Sequence, residues 1–223
     1  EIHELDIERC HWLAKACQRS DIRYLYLSNA RVYAGTQGRP YTEFDQPDNQ
    51  ETVGRLLCRA ESVVKDTCDG HLILRLGPIF SARGANYLTY VLDQLGAGGT
   101  LSVDNSLTGC PIDSGDAARV IAAIVDQVST GADAWGVYNY ASSDPTHCYE
   151  FAEALLASAS QFSPLEGESA QLAADEETRE SLNRALGCSR ILNTFAIKQV
   201  PWRGFVTDAV RQHLELQHQD QTP

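Results

Sequence analysis

The order of three segments between residues 22 and 61 constrains this chain more than anything else in it. Residues 22–27 (IRYLYL) form a short apolar run rich in Tyr, Leu and Ile that ends at the polar pair Ser28-Asn29. That is the pattern of a buried strand delivering side chains to a site at its carboxyl end. A loop marked by Gly35, Gly38 and Pro40 comes next, and Pro47-Asp48-Asn49 reads as a turn and helix start. From about residue 50 to 65, Val53, Leu56, Leu57, Ala60, Val63 and Val64 recur at helical spacing. Strand, long loop and helix in this order predict an α/β protein with its chemistry above the strand tips.

The flanking segments extend the pattern. Residues 6–19 predict a helix with Asp6 as N-cap and an apolar face of Ile7, Cys10, Leu13, Ala14 and Cys17. HLILRL (71–76) reads as a second buried, parallel-type strand. Residues 96–99 (GAGG) come after a helix and before the strand TLSVD, the reverse of the strand–loop–helix order of a phosphate loop, so a helix end and turn explain them. Asp113 or Ser114 opens a helix whose core face is Ala117, Val120, Ile121, Ile124 and Val125. A short strand (GVYNY), a turn at Asp144-Pro145 and a helix from about His147, with Thr146 as cap, come next. His147 there has a structural role. Residues 163–181 are polar and acidic and predict a surface loop with a partial helix. Trp202, with Phe205, Val206 and Val210, is expected to pack the last helix into the core.

Composition excludes several partners. A formal charge of −12 over 223 residues argues against nucleic acid or an anionic membrane. No apolar run approaches the roughly 20 residues of a membrane span, and no signal peptide is visible. The seven cysteines, at 10, 17, 58, 68, 110, 148 and 188, show no C-x-x-C, and the six histidines show no metal-binding spacing. Reduced thiols in a cytoplasmic protein, and no metal, are the expectation. Methionine is absent altogether, and the expectation is that the chain begins inside a longer protein.

LSNARVYAGTQGRPYTEFDQP followed by VGRLLCRAE resembles the dTDP-4-dehydrorhamnose reductase family, a branch of the extended short-chain dehydrogenases that also includes the regulatory β subunit of methionine adenosyltransferase. The family pattern is roughly S-T-D-Y-V-F-x-G, then P-Y-x-E-x-D, then Y-G-x-T-K-L-x-G-E. Ser28, Val32, Tyr33, Gly35, Pro40, Tyr41, Glu43, Asp45, Gly54 and Glu61 fall on it. Arg75 matches the next strand, although Pro78 replaces an aromatic residue there. Arg83, Gly84, Asn86 and Tyr87 match a G-x-N-F segment. Asp104, Asn105, Pro111, Asp116 and Ala118 match a further one. Asn183, Leu186 and Cys188 match the tail pattern R-P-x-N-S-x-L-x-C-x-K-L, with Glu180-Ser181 in the Arg-Pro position. Phe195, Ile197 and Trp202 match the F-G-I-x-x-x-x-W-x-x-x-L run that closes it.

The resemblance implies an α/β fold: a Rossmann-like parallel sheet flanked by helices, incomplete at its N-terminal part, with a small C-terminal substrate-type lobe. It assigns residues 1–77 and 104–141 to the Rossmann-like part, and 78–103 and 142–223 to the lobe. It implies substrate binding by Arg83, Asn86, Tyr87, Asn105 and Asn183, with Asn86 serving equally as a helix cap. It places Ser28 and Gly77 beside an NADP or NAD cofactor, although no glycine-rich phosphate loop precedes Tyr24 to hold one.

The catalytic pair of the family is missing. The tyrosine position holds Val53 and the lysine position Leu57, and none of Lys15, Lys65 or Lys198 lies four residues after a tyrosine. Losing a general acid alone costs about 10²–10⁴-fold in rate. Ser28 and Asn29 are left at the strand tip, and no catalytic residue is assigned. The sequence therefore predicts a catalytically degenerate sugar-nucleotide-binding protein, a pseudoenzyme with a regulatory role through a protein partner or a homodimer. Two alternatives stand beside it. One is an active NAD(P)H-dependent reductase of a nucleotide-linked 4-keto sugar that uses Tyr33 or Tyr41; the other is an interaction scaffold with a vestigial cleft.

Overall fold

The computed structural model describes residues 3–98, 100–162, 171–175 and 180–220. Its centre is a parallel sheet of three strands, β1 (Tyr24–Asn29), β2 (His71–Leu76) and β7 (Gly136–Tyr140), in the order β1-β2-β7. Tyr24 pairs with His71 and Asn29 with Leu76, while Leu72 to Leu76 pair in turn with Gly136 to Tyr140. β2 lies between two neighbours and is buried from Leu72 to Leu76, which is why its sequence is a continuous apolar run. The mixed α/β architecture and the parallel sheet agree with the sequence expectation.

Helices cover the sheet. α1 (Glu4–Arg19) packs on α2 (Thr52–Thr67), and α2 packs on β1 through Leu57, Ala60 and Val64. α4 (Ser114–Ser129) is capped by Asp113, whose carboxylate accepts from Gly115 N and Asp116 N, and it buries Ala117, Val120 and Ile124. α2, α4 and the sheet share one core with Tyr33, Tyr41, and with Ile191 and Phe195 of α6 (Ser189–Phe195). A second core joins Phe80, in β3 (Ile79–Phe80), to α3 (Tyr87–Gly96), β4 (Thr100–Val103), α5 (Cys148–Ala159) and α7 (Arg203–Asp220). Trp202 is buried there, edge-on to Phe151, as expected for a core residue. Short strands complete the frame: β5 (Leu107–Gly109) lies between β10 (Leu182–Asn183) and β8 (Thr146–His147), and β6 (Ile112–Asp113) pairs with β3.

Several local expectations are corrected. β1 begins two residues later and continues through Ser28-Asn29, because pairing opposite Arg75 and Leu76 holds these polar residues in the ladder. α1 begins at Glu4 after the N-cap His3; Asp6 lies in its first turn, where its carboxylate accepts from His3 N at 2.9 Å. Leu13 and Val125, assigned to apolar faces, are exposed. His147, not Thr146, is the N-cap of α5, and the Thr146 hydroxyl donates to Glu150 at 2.7 Å. Within the polar segment 163–181, residues 171–174 form β9 (Gln171–Ala174), paired in parallel with β4. The rest of the partial-helix expectation falls on residues 163–170 and 176–179, outside the described residues. The GAGG turn does follow a helix: α3 ends at Gly96, and Gly98 takes a φ of +78°.

Candidate functional site

A cavity of about 710 Å³ opens above the carboxyl ends of β1 and β2. Four pieces of chain line it: residues 27–31 at the tip of β1, residues 76–79 at the tip of β2, β5, and Arg184. The position follows from parallel strands, whose ends leave a crevice where the connecting chain diverges. Beyond Asn29 the chain turns through a 3₁₀ segment, Ala30–Val32, capped by the Asn29 side chain accepting from Arg31 N at 2.9 Å. At the tip of β2, Gly77 N donates to the Tyr140 carbonyl, and a Cβ on Gly77 would stand 2.1 Å from the Cys110 carbonyl oxygen. Only glycine fits this approach of two backbones.

Directly beneath the cavity a buried charge pair ties helix to strand. Arg75 donates through Nε to Glu61 Oε1 at 2.8 Å, through Nη2 to Oε2 at 2.5 Å, and through Nη1 to the Tyr33 hydroxyl at 2.5 Å. Both charged side chains are 1% exposed. Burial pushes the Glu61 carboxyl up, but the hydrogen bonds and charge of Arg75, aided by the charge of Lys65, more than offset it and leave it below its usual range. Tyr33 is pushed up to about 12 by burial. Its hydroxyl donates to the Thr42 carbonyl at 2.8 Å, and its ring stacks on Tyr41 at 4.1 Å. The Tyr41 hydroxyl accepts from Gly35 N at 3.1 Å. Both tyrosines are fully buried, and neither lines the cavity.

Of the residues singled out from sequence, the structure brings Ser28, Asn29 and Gly77 to the cavity. Val53 is half-buried against the main core, and Leu57 is 6% exposed within it. Neither reaches the cavity wall. Asn86 is the N-cap of α3, its Oδ1 accepting from Leu88 N and Thr89 N while its amide donates to the Ser81, Arg83 and Gly84 carbonyls. The Tyr87 hydroxyl donates to the Cys148 carbonyl, and the ring lies against Phe151 in the second core. Arg83 is exposed and lines a separate cavity with Asp93 and His213. Asn105 is exposed two residues before β5. Asn183 donates its N–H to the Gly35 carbonyl and accepts from Ala185 N, so it shapes the chain just before Arg184.

Sequence reasoning missed Arg31, Thr108 and Arg184. A signal for the two arginines was present, since the family pattern has a tyrosine where Arg31 stands and a serine where Arg184 stands. Among the described residues no tyrosine or lysine lines the cavity, and its only charged side chains are these two arginines. The buried thiols are not reactive groups: burial pushes Cys110 up to about 11 and Cys188 up to about 12. No cluster of metal-ligating side chains occurs among the described residues, and no helix there is long and apolar enough to cross a membrane.

Comparison with known proteins agrees with the architecture. The chain is 24% identical over 195 residues to the dTDP-4-dehydrorhamnose reductase of Sinorhizobium fredii, covering 85% of this chain and 66% of that protein. It spans 66, 47 and 41% of the first curated relatives it matches, so about two thirds of their length or less. The structure of a dTDP-4-dehydrorhamnose reductase from Clostridium acetobutylicum superposes with a TM-score of 0.79 at 19% identity, covering 93% of this chain and 71% of that one. That of the Bordetella bronchiseptica enzyme WbmG, in complex with NAD and UDP, gives 0.75 at 16% identity, covering 93% and 65%. Residues 3–215 match the family model described as the RmlD substrate binding domain, and the chain belongs to that family.

Proposed function

We propose that this protein binds a sugar nucleotide in the cavity above β1 and β2 and performs no hydride transfer there, acting through binding in a regulatory role. The observation that carries this reading is the composition of the cavity wall, which offers no tyrosine hydroxyl and no ammonium among the described residues. Where the family resemblance puts a proton donor and its cationic helper, this chain has Val53 and Leu57, and Leu57 is sealed in the core. Tyr33 and Tyr41 do not substitute for them. Both hydroxyls are held inside the protein away from the cavity wall, and Tyr33, pushed up to about 12, is in addition a poor acid.

NAD or NADP is the cofactor the resemblance implies. The residues present do not fit a reacting nicotinamide: the position expected to supply a ribose-holding cation is aliphatic and buried. A Cβ at Gly77 would meet the Cys110 carbonyl, so on that side the strand tip packs against another backbone. No reduction step is therefore derived. Ser28, Asn29 and Gly77 form the strand-tip side of the binding cavity in this reading. Asn86, Tyr87 and Asn183 hold the chain around it, while Arg83 and Asn105 are exposed and are left to contact the outer part of a ligand. We also propose that 1–77 with 104–141, and 78–103 with 142–223, act as the two halves of the cleft.

The test pairs binding with turnover. dTDP-glucose, UDP-glucose and GDP-mannose are titrated calorimetrically, and dTDP-, UDP- and GDP-linked 4-keto sugars are then supplied with NADPH while absorbance is followed. Binding of at least one nucleotide sugar with NADPH consumption at background is the expected result. Rapid NADPH consumption would overturn the loss of catalysis, and no binding of any of them would overturn the sugar-nucleotide reading.

A further inference from the structure

We propose that the cavity holds an oxyanion of its ligand on Arg31 and Arg184, drawing their guanidinium groups away from Glu51, a carboxylate that stands outside the cavity wall. The inference rests on the sugar-nucleotide reading and narrows it to the group that the cavity recognises. The protein carries a net charge of −12, yet among the described residues the charged side chains lining this cavity are two arginines and no carboxylate. The remaining wall is neutral, with the exposed side chains of Leu27 and Ile79 beside Asn29 and Thr108. Neutral walls with two cations at one side suit a ligand that is mostly uncharged and bears its negative charge at one end. Guanidinium forks match the paired oxygens of carboxylate and phosphoryl groups.

Glu51 shows how the two arginines are paired in the free protein. Its Oε1 accepts from Arg184 Nη2 at 3.1 Å, and its Oε2 lies 3.8 Å from Arg31 Nη2. One carboxylate therefore bridges two cations and leaves a positive charge in excess. With about five N–H donors on each guanidinium, it satisfies a minority of them. Glu51 is also free to leave. It is 53% exposed and stands at the N-cap position of α2 without a side-chain capping bond; the Asn49 side chain accepts from Glu51 N instead. The two arginines differ in mobility. Arg184 is 10% exposed and also donates to the Ala34 carbonyl, so it is a fixed anchor, whereas Arg31 is 51% exposed and able to swing onto a ligand. The oxyanion has two sources in a sugar nucleotide, the diphosphate or an acidic group on the sugar.

Calorimetric titration of UDP-glucose and UDP-glucuronate into the wild type, Arg31→Gln and Glu51→Gln tests the proposal. Arg31 and Glu51 are solvent-facing, so both variants are expected to fold, and their thermal midpoints check this. Arg31→Gln should weaken binding about tenfold, the loss expected for one charge-assisted contact, while Glu51→Gln should tighten it. A loss confined to UDP-glucuronate assigns the oxyanion to the sugar; an equal loss for both ligands assigns it to the diphosphate. Binding of both probes within about twofold of wild type in both variants would overturn the oxyanion site and leave the sugar-nucleotide reading standing. Failure of the wild type to bind either probe or any other nucleotide sugar would remove both.

Discussion

Replacing Arg75 or Glu61 singly should destabilise the protein far more than replacing both together. Each side chain is 1% exposed, and the pair is joined by two hydrogen bonds with a third from Arg75 to Tyr33. Breaking a buried pair leaves an uncompensated charge and costs about 3–5 kcal/mol, whereas exchanging both partners for apolar residues is often neutral or stabilising. The surroundings rank the two single variants. Arg75→Met leaves Glu61 with Lys65, whose Nζ lies 3.4 Å away and is half-buried, so the loss falls near the lower end, about 3 kcal/mol. Glu61→Leu leaves Arg75 with the neutral Tyr33 hydroxyl alone, so about 5 kcal/mol is expected. The double variant should lie within about 2 kcal/mol of wild type. Urea denaturation gives the free energies, and thermal midpoints should fall by roughly 6–20 °C in the single variants. Glu61 also sets an acid dependence. A carboxyl held below its usual value contributes stability that is present above its unfolded pKa of about 4.3 and is lost as pH falls through the depressed folded value. Without Arg75 the sign reverses, since burial then favours the protonated form, and the gap between Arg75→Met and wild type should narrow in acid. Additive losses in the double variant would refute this account of the pair.

Three further outcomes are expected from the same geometry. Gly77→Ala puts a Cβ 2.1 Å from the Cys110 carbonyl and 3.0 Å from Ala141 Cβ, so about 3 kcal/mol of stability should be lost, measured by urea denaturation. Asn86→Ala removes the cap of α3 and should lower stability by about 1–2 kcal/mol while leaving nucleotide-sugar affinity within about twofold, which thermal melts and calorimetry check together. Leu57→Lys places an ammonium inside the main core and should cost on the order of 3 kcal/mol; a variant as stable as wild type would show that position 57 has an open path to the cavity.

The features legible in the sequence were mostly local. β2 was placed to the residue because an apolar run buried by neighbours on both sides has sharp polar limits at His71 and Gly77. Helix faces emerged from their period, but Leu13 and Val125 lie at the edges of their apolar stripes and face solvent. β9 was invisible, since its short Q-L-A-A run has no strand pattern of its own and gains strand geometry only from β4, far away in the chain. The site divided along the same line. Ser28, Asn29 and Gly77 could be placed together from sequence because a strand tip is a local feature, and all three line the cavity. Arg184 was missed because its approach to Arg31 and Glu51 depends on β10 lying beside β5, which no periodicity announces.

The frame and the chemistry of this cleft are separable, and the structure shows where the division runs. The family positions retained at Tyr33, Glu61 and Arg75, with Gly77 beside them, all make contacts beneath or beside the cavity: a charge pair, a hydroxyl bridge, and two backbones in contact. Each would leave a buried charge or a steric clash if changed alone, so the cost of altering it falls on folding. Val53 and Leu57 are different, because an aliphatic side chain against an apolar core carries no such penalty. In the proposed reading, valine and leucine at these positions remove a proton donor and a cation without leaving a buried charge, so the loss of proton transfer carries little cost to folding. In that proposed reading the arginines at 31 and 184 give the cleft a charge for binding alone, since a guanidinium stays protonated at any pH the fold survives.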